Sequence, residues 1–440
     1  MMRALYSLAV IAAQPFLRRK LKRRGAVEPG YLHAIDERFG AYGGDAAPGA
    51  LWIHAVSLGE TRAAAVLLER LREVQPDLRV LLTHGTATGR AEGERLLRPG
   101  DAQAWLPWDT PQAVRRFLDH FRPRVGVLME TEVWPNLLAA AQERGIPMAL
   151  ANARLNDKSL ATALRLAGLS RATYALLSAV WAQTEGDARR LAQAGATVKG
   201  VFGNLKFDAA PDASQLERAR QWREQTQRQV VMFASSREGE EAEFFRILNA
   251  NRELAQAGWT RAGDTIEQQV QWLVVPRHPQ RFDEVADLAR QSGFTVSRRS
   301  AWAAQPQPAD VWIGDSLGEM AFYYGLADVA LLGGSFAPLG GQNLIEAAAC
   351  ACPVVMGPHT FNFSEAAQLA QDAGAALRVG SMEEGVRSAV ALAGDASRRA
   401  AAAKAASEFA AAHQGAADKT TRAVLALLEK EGVTFGAAHL

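Results

Sequence analysis

The chain has 440 residues, 48% of them hydrophobic and 22% charged, with a net charge of only +2. That length exceeds one ordinary domain and suits two of about 200 residues, each with its own core. The near-neutral balance excludes the global basic field that holds nucleic acid, and two cysteines one residue apart, Cys350 and Cys352, are too few for a metal site and badly spaced for a disulfide.

In chain order the first element is the apolar run ALYSLAVIAAQPFL, Ala4 to Leu17. It falls short of the about 20 apolar residues a spanning helix needs. Arg18, Arg19, Lys20, Lys22, Arg23 and Arg24 follow it. Positive charge after an apolar segment resists translocation, which argues against a signal peptide. Residues 1–24 read as a monotopic or marginal membrane anchor with a basic collar; a buried or surface helix followed by a solvated basic linker is the plainer alternative.

From Leu51 the chain alternates short apolar runs with amphipathic stretches. Strands are expected at 51–56, 79–83, 125–130, 147–152, 179–183 and 198–204. A polar stretch, 208–228, contains Pro211 and reads as a linker with a short helix. The alternation then resumes, with strands expected at 230–236, 272–276, 311–315, 329–334, 353–357 and 375–379, and an alanine-rich helical tail follows from Ala396. Apolar runs without strict alternation suit parallel strands covered on both faces. The expected fold class is α/β, with two doubly wound parallel-sheet domains facing each other across a cleft and ligands beyond the carboxyl ends of the strands.

Several of those strand ends carry chemistry. WIHAVSLGE, Trp52 to Glu60, runs from a strand through a turn into a helix and delivers a carboxylate where many proteins bind an anion. The expectation is that the helix N-terminus keeps Glu60 ionised. METEVWPN (129–136) ends a strand with Glu130 and Glu132, and GNLKFD (203–208) places Lys206 at the junction between the domains. In the second half, PRHP sets Arg277 after Pro276, and GDSLGEM sets Leu317, Gly318 and Glu319 at a helix start. The stretch GGSFAPLGGQNLIEAAACACPVVMGPHTFNF (333–363) joins a glycine-rich loop to a helix carrying Asn343, Leu344, Ile345 and Glu346. Glycines there let backbone amides approach a phosphate, and an arginine can meet one with two hydrogen bonds. No G-x-G-x-x-G opens a helix after the first strand, and no P-loop, H-E-x-x-H or D-x-D occurs. Eight scattered histidines give no metal-ligand spacing. Phosphate charge would therefore be met by arginine, lysine and helix ends.

The blocks HAVSLGE, ETEVWPN, NARL (152–155), GNLKFD, PRHP, GDSLGEM and GGS…GGQN…E…GPHTFNF span nearly the whole chain. Together they resemble the 3-deoxy-D-manno-octulosonic acid (Kdo) transferases of lipopolysaccharide assembly, GT-B glycosyltransferases. The chain departs from that pattern at Ser235-Ser236-Arg237, where Ser-Thr-His is expected, at Gln342, where histidine is expected, and at Leu344 and Ala347, often proline. The resemblance implies inverting transfer of Kdo from CMP-Kdo to a lipid A precursor (lipid IVA) at the cytoplasmic face of the inner membrane. It implies Glu60 as general base, with Glu130 and Lys206 beside the reacting centre. Structural ion pairing is the plainer alternative for the last two. It further implies a CMP pocket of Arg277, Gly318, Glu319, Asn343 and Glu346, with Pro276, Leu317, Leu344 and Ile345 as main-chain contacts. No cofactor, metal or nucleic acid is implied; the partners are CMP-Kdo, the lipid A precursor and inner membrane lipids. The domain plan becomes anchor and collar 1–24, acceptor-binding domain 25–207, linker 208–228, CMP-sugar domain 229–395 and C-terminal helices 396–440. Another GT-B nucleotide-sugar enzyme, such as an epimerase, or a non-catalytic two-lobed binding protein are the rival readings.

Overall fold

The computed structural model describes residues 2–256, 270–303 and 305–430; the last ten residues of the expected C-terminal helices lie outside them. The chain divides into two units, residues 1–209 with 414–440, and residues 210–413.

Unit 1 is built on a seven-stranded sheet in the order β3-β2-β1-β4-β5-β6-β7. Its strands are β1 Leu51–His54, β2 Val80–His84, β3 Ala102–Trp105, β4 Val125–Met129, β5 Met148–Ala153, β6 Ala179–Ala182 and β7 Val198–Val201. Every pairing is parallel. Side chains alternate between two covered faces. Leu51 and Ile53 of β1 join Leu67 and Leu71 of the helix Leu58–Val74, together with Val424 and Leu428 of the helix Ala416–Lys430. Trp52 points the other way, onto Phe117 and Leu138. Each such fully buried side chain stabilises the fold by about 1.5–3 kcal/mol relative to exposure. Because β1 pairs with β2 on one side and β4 on the other, its carboxyl end lies at the point where the winding reverses.

Unit 2 repeats the plan in the order β10-β11-β9-β8-β12-β13-β14. Its strands are β8 Gln229–Ser236, β9 Val270–Pro276, β10 Val296–Arg298, β11 Val311–Ile313, β12 Val329–Leu332, β13 Val354–Met356 and β14 Ala376–Arg378. Here too every pairing is parallel, and the winding reverses between β8 and β12.

Three features differ from the expected plan. Strands β3 and β10 were not anticipated, because both are short, partly polar edge strands without a continuous apolar run. The stretch 208–228 contains the helix Ala213–Glu224, whose Trp222 packs edge-on against Phe322 at 5.2 Å between ring centroids. That aromatic contact makes the helix part of unit 2 rather than a linker. The tail also divides: the helix Ala396–Ala412 lies in unit 2, whereas Ala416–Lys430 returns to complete the core of unit 1.

The N-terminal run forms one helix, Met2–Val27, which continues through Pro15 and through the collar. One side docks on unit 1. Tyr6 is hydrogen-bonded to Asp109, Ser7 reaches Asn136 at 2.9 Å, and Leu21 is buried beside Tyr31 and Trp105. Arg18 pairs with Asp36 at 3.2 Å and Arg24 lies over the Tyr31 ring, so part of the collar serves the fold. Among the described residues no helix is long and apolar enough to cross a membrane.

Candidate functional site

In unit 1 the carboxyl ends of β1 and β4, which flank the reversal of winding, hold three carboxylates. The helix after β1 begins at a capping box. Ser57 Oγ accepts from the Glu60 N–H at 3.4 Å, and the Glu60 carboxyl accepts from the Val56 N–H at 2.8 Å and from Ser57 Oγ–H at 3.2 Å. The Glu60 side chain is thus pulled back over the strand end. Its pKa is pushed up from 4.5 to about 7. Burial is the largest cause; the Val56 N–H opposes it, and the nearby Glu130 and Glu132 charges add to the rise. The expectation that the helix end holds Glu60 ionised is corrected here. Desolvation and two like charges outweigh the N–H groups.

Glu130 stands at the end of β4 in the left-handed region, φ +58°, with its side chain buried. Arg154 Nε donates to Oε2 at 2.7 Å, and Lys206 Nζ lies 3.5 Å from Oε1. Lys206 belongs to the turn Leu205–Asp208. Asn152, also left-handed at φ +51° and buried, accepts the Leu205 N–H at 3.1 Å and so fixes that turn. Glu132 accepts from Trp134 Nε1 at 2.9 Å. Burial raises its pKa as well, against the Trp134 hydrogen bond and with the Glu130 charge. His54 Nε2 lies 4.0 Å from Glu132, but burial, aided by His84, holds His54 down at about 3, so it is neutral.

Glu60, Glu130 and Lys206 are therefore brought together. Sequence reasoning missed the parts played by Asn152 and Arg154. The signal available was NARL, with an asparagine, a residue that tolerates left-handed backbone, directly after an apolar run.

In unit 2 the candidate residues follow the carboxyl ends of β9, β11 and β12, all on one edge of the sheet. Arg277 follows Pro276. Its N–H donates to Ser236 O at 3.0 Å, and its Nε donates to Gln342 Oε1 at 3.2 Å. Arg237 lies in the loop after β8 and pairs with Glu238 at 3.2 Å. Burial, then Arg237 and Arg277, depress the His278 pKa. Asn343 caps the short helix Leu344–Ala349 by accepting the Ile345 N–H at 3.2 Å. Leu344 and Ile345 are both buried. Glu346 is half-buried, and its charge is felt at Tyr324 and Cys350.

Two of the expected positions have protein partners of their own. Glu319 is held by Arg299 at 2.9 Å, by Arg218 and by Ser316. Burial lifts its pKa, but those partners together bring it below the ordinary value. It therefore sits in an ion-pair network of its own, below an exposed Leu317 and a left-handed Gly318 whose carbonyl accepts from Gln215 at 2.8 Å. The glycine loop also differs from its expected role. The N–H groups of Gly334, Phe336 and Ala337 all point to the Glu240 carboxylate, so these amides are already occupied.

Comparison with known proteins gives the family. A family model described as 3-deoxy-D-manno-octulosonic-acid transferase (kdotransferase) matches residues 33–209. The 3-deoxy-D-manno-octulosonic acid transferase of Bordetella pertussis is 48% identical over 432 residues, 96% of this chain and 98% of that one. The Haemophilus influenzae protein of the same name is 31% identical over 396 residues, 89% of this chain and 90% of that one. Among solved structures, the UDP-GlcNAc 2-epimerase of Neisseria meningitidis bound to UDP-GlcNAc has a TM-score of 0.53 at 15% identity, covering 87% of this chain and 100% of that chain. That likeness is one of fold, and it identifies the two parallel-sheet units as GT-B. Identity over nearly the full length, added to the clustered strand-end residues, assigns the chain to the 3-deoxy-D-manno-octulosonic acid transferase family of glycosyltransferases.

Proposed function

We propose that the protein moves Kdo from CMP-Kdo to a hydroxyl of a lipid A precursor, lipid IVA, with inversion at the anomeric carbon. The observation that carries this reading is Glu60, a half-buried carboxyl at the reversal point of unit 1 with its pKa near 7. Such a group is poised to take a proton near neutral pH. The acceptor O–H gives its proton to Glu60 as the oxygen bonds to the anomeric carbon. The bond from that carbon to the phosphate oxygen breaks, and CMP leaves with the electron pair.

The centre carries positive character as CMP departs, and the buried Glu130 carboxylate stabilises it. Lys206 meets the donor's carboxylate or the developing negative charge. Arg154 keeps Glu130 paired while Lys206 is engaged. In unit 2, Arg277 and Glu346 hold the phosphate and the sugar hydroxyls of CMP, with Asn343 ordering the loop between them. Pro276, Leu317, Leu344 and Ile345 contribute main chain, with Gly318 beside them. Glu319 acts through Arg218 and Arg299 rather than on the nucleotide directly. The charge of the phosphate is met by arginines, so the reading needs no cofactor.

The acceptor is a lipid, and the enzyme works at the cytoplasmic face of the inner membrane. The exposed apolar side of the helix Met2–Val27, with Leu5, Leu8, Ile11 and Phe16, supports this. Incubation of the purified protein with CMP-Kdo and lipid IVA tests the proposal. The expected product is lipid IVA heavier by Kdo residues, with the anomeric configuration opposite to that of the donor. CMP release without glycosylated lipid, or no release at all, would refute it.

A further inference from the structure

Glu240 opens the helix Glu240–Gln256 and is only 3% exposed. Its carboxylate accepts four main-chain N–H groups, from Gly334 at 2.7 Å, Arg237 at 3.1 Å, Ala337 at 3.1 Å and Phe336 at 3.2 Å. A convergence of main-chain N–H groups is a nest for an anion. Here the anion is one of the protein's own side chains.

The nest spans two loops. One leaves the end of β8, where Ser235 lies in the left-handed region, φ +53°. The other follows β12, and the two approach so closely that a Cβ on Gly333 would lie 2.2 Å from the Ser235 carbonyl oxygen. Arg277 is fixed from both: its N–H bonds to Ser236 O, and its Nε bonds to Gln342, while Gly341 N–H bonds to Gly334 O at 2.7 Å. The reaction as derived gives Glu240 no proton to move and no atom to touch.

We propose that Glu240 is a positioning residue, an internal anion that joins the β8 and β12 loops and so sets Arg237 and Arg277 for the donor's phosphoryl group before it arrives. The inference rests on reading this edge of unit 2 as the donor site. A preorganised pair of arginines binds without the cost of ordering two loops at that moment.

The test is CMP affinity by calorimetry on the full chain, for the wild type and for Glu240→Ala, with thermal midpoints measured alongside. The Ala variant leaves a space of carboxylate shape lined by N–H groups. The expected result is CMP binding weakened by about tenfold or more, restored toward wild type by formate and not by chloride at equal ionic strength. Glu243→Gln, on an exposed residue of the same helix paired with Arg246, should leave CMP affinity unchanged. If formate restores the thermal midpoint but not CMP affinity, Glu240 is merely structural and the proposal fails. If Glu240→Ala does not fold, Glu240→Gln decides: weakened CMP binding by folded protein supports the proposal, and unchanged binding overturns it. A wild type that does not bind CMP removes the donor-site reading itself, and this proposal with it. A wild type that binds while both variants match it removes only the role of Glu240.

Discussion

Glu60 sits under two opposing influences. The Val56 N–H and Ser57 hydroxyl favour its charged form, while burial and the facing Glu130 and Glu132 favour the protonated one, and the balance lies near 7. A base must be ionised to act, so activity should rise with pH through about 7, as seen in the ascending limb of a kcat profile. Glu60→Gln should lower kcat by about 10²–10⁴-fold while leaving CMP binding intact; near-wild-type turnover would remove Glu60 from that role. The same shift sets the stability. A carboxyl whose pKa is higher in the folded state stabilises the fold at low pH, and that contribution is lost as pH rises from about 4.5 through about 7. At pH 8 the wild type carries an ionised, half-buried Glu60 that the Gln variant lacks. Glu60→Gln should therefore be more stable at pH 8, by on the order of 1–2 kcal/mol, with a smaller gain at pH 5. Equal denaturation midpoints at both pH values would contradict this. The position of Glu60 was legible in SLGE, because a capping box is a local pattern. Its protonation was not, because the opposing carboxylates come from a strand distant in sequence.

At the level of elements, apolar runs reveal strands that are covered on both faces, and they reveal little else. β1, β4, β8 and β12 were readable for that reason. β3 and β10 were not, since each is a short edge strand with polar residues and no continuous apolar run. The helix Ala213–Glu224 looked like a linker because only Ala219 and Trp222 of its residues are buried. Trp222 nevertheless packs on both Phe322 and Trp302. Trp222→Ala should destabilise unit 2 by about 3–5 kcal/mol, visible as an earlier transition in denaturant; an unchanged midpoint would return the segment to linker status. The loop of glycines after β12 was read correctly as an amide-rich turn but with the wrong occupant, since Glu240 lies about 95 residues before it and no local pattern links them. With those amides taken, the phosphate charge in the proposed donor site falls to side chains. Arg277→Ala and Glu346→Ala should each weaken CMP binding by on the order of 1.5–3 kcal/mol, the worth of a charge-assisted hydrogen bond. Unchanged affinity in both would move the nucleotide away from the ends of β9 and β12.

For the whole molecule, the question is how a protein with no membrane-crossing helix among its described residues would meet the lipid acceptor proposed for it. The helix Met2–Val27 answers with its two sides. Tyr6, Ser7, Leu21 and Gly25 face unit 1, while Leu5, Leu8, Ile11 and Phe16 are exposed, Phe16 at 69%. Arg19, Lys20, Lys22 and Arg23 extend the exposed surface with positive charge. Because the helix is docked, deleting residues 1–24 would strip Leu21 and Tyr6 from unit 1 and confuse loss of attachment with loss of fold. The cleaner variant replaces Leu5, Leu8, Ile11 and Phe16 with serine and leaves the docked side intact. Each of those side chains supplies up to about 1.5–3 kcal/mol on full burial, and each basic neighbour about 1 kcal/mol near an anionic leaflet. The serine variant should keep its thermal midpoint and its turnover on detergent-dispersed lipid IVA. It should lose sedimentation with vesicles containing anionic lipid, and lose turnover on acceptor embedded in them. High salt should weaken binding of the parent only in part, since screening reaches the basic residues and not the apolar ones. Sedimentation equal to the parent's, with equal turnover on both forms of acceptor, would mean that another surface meets the bilayer.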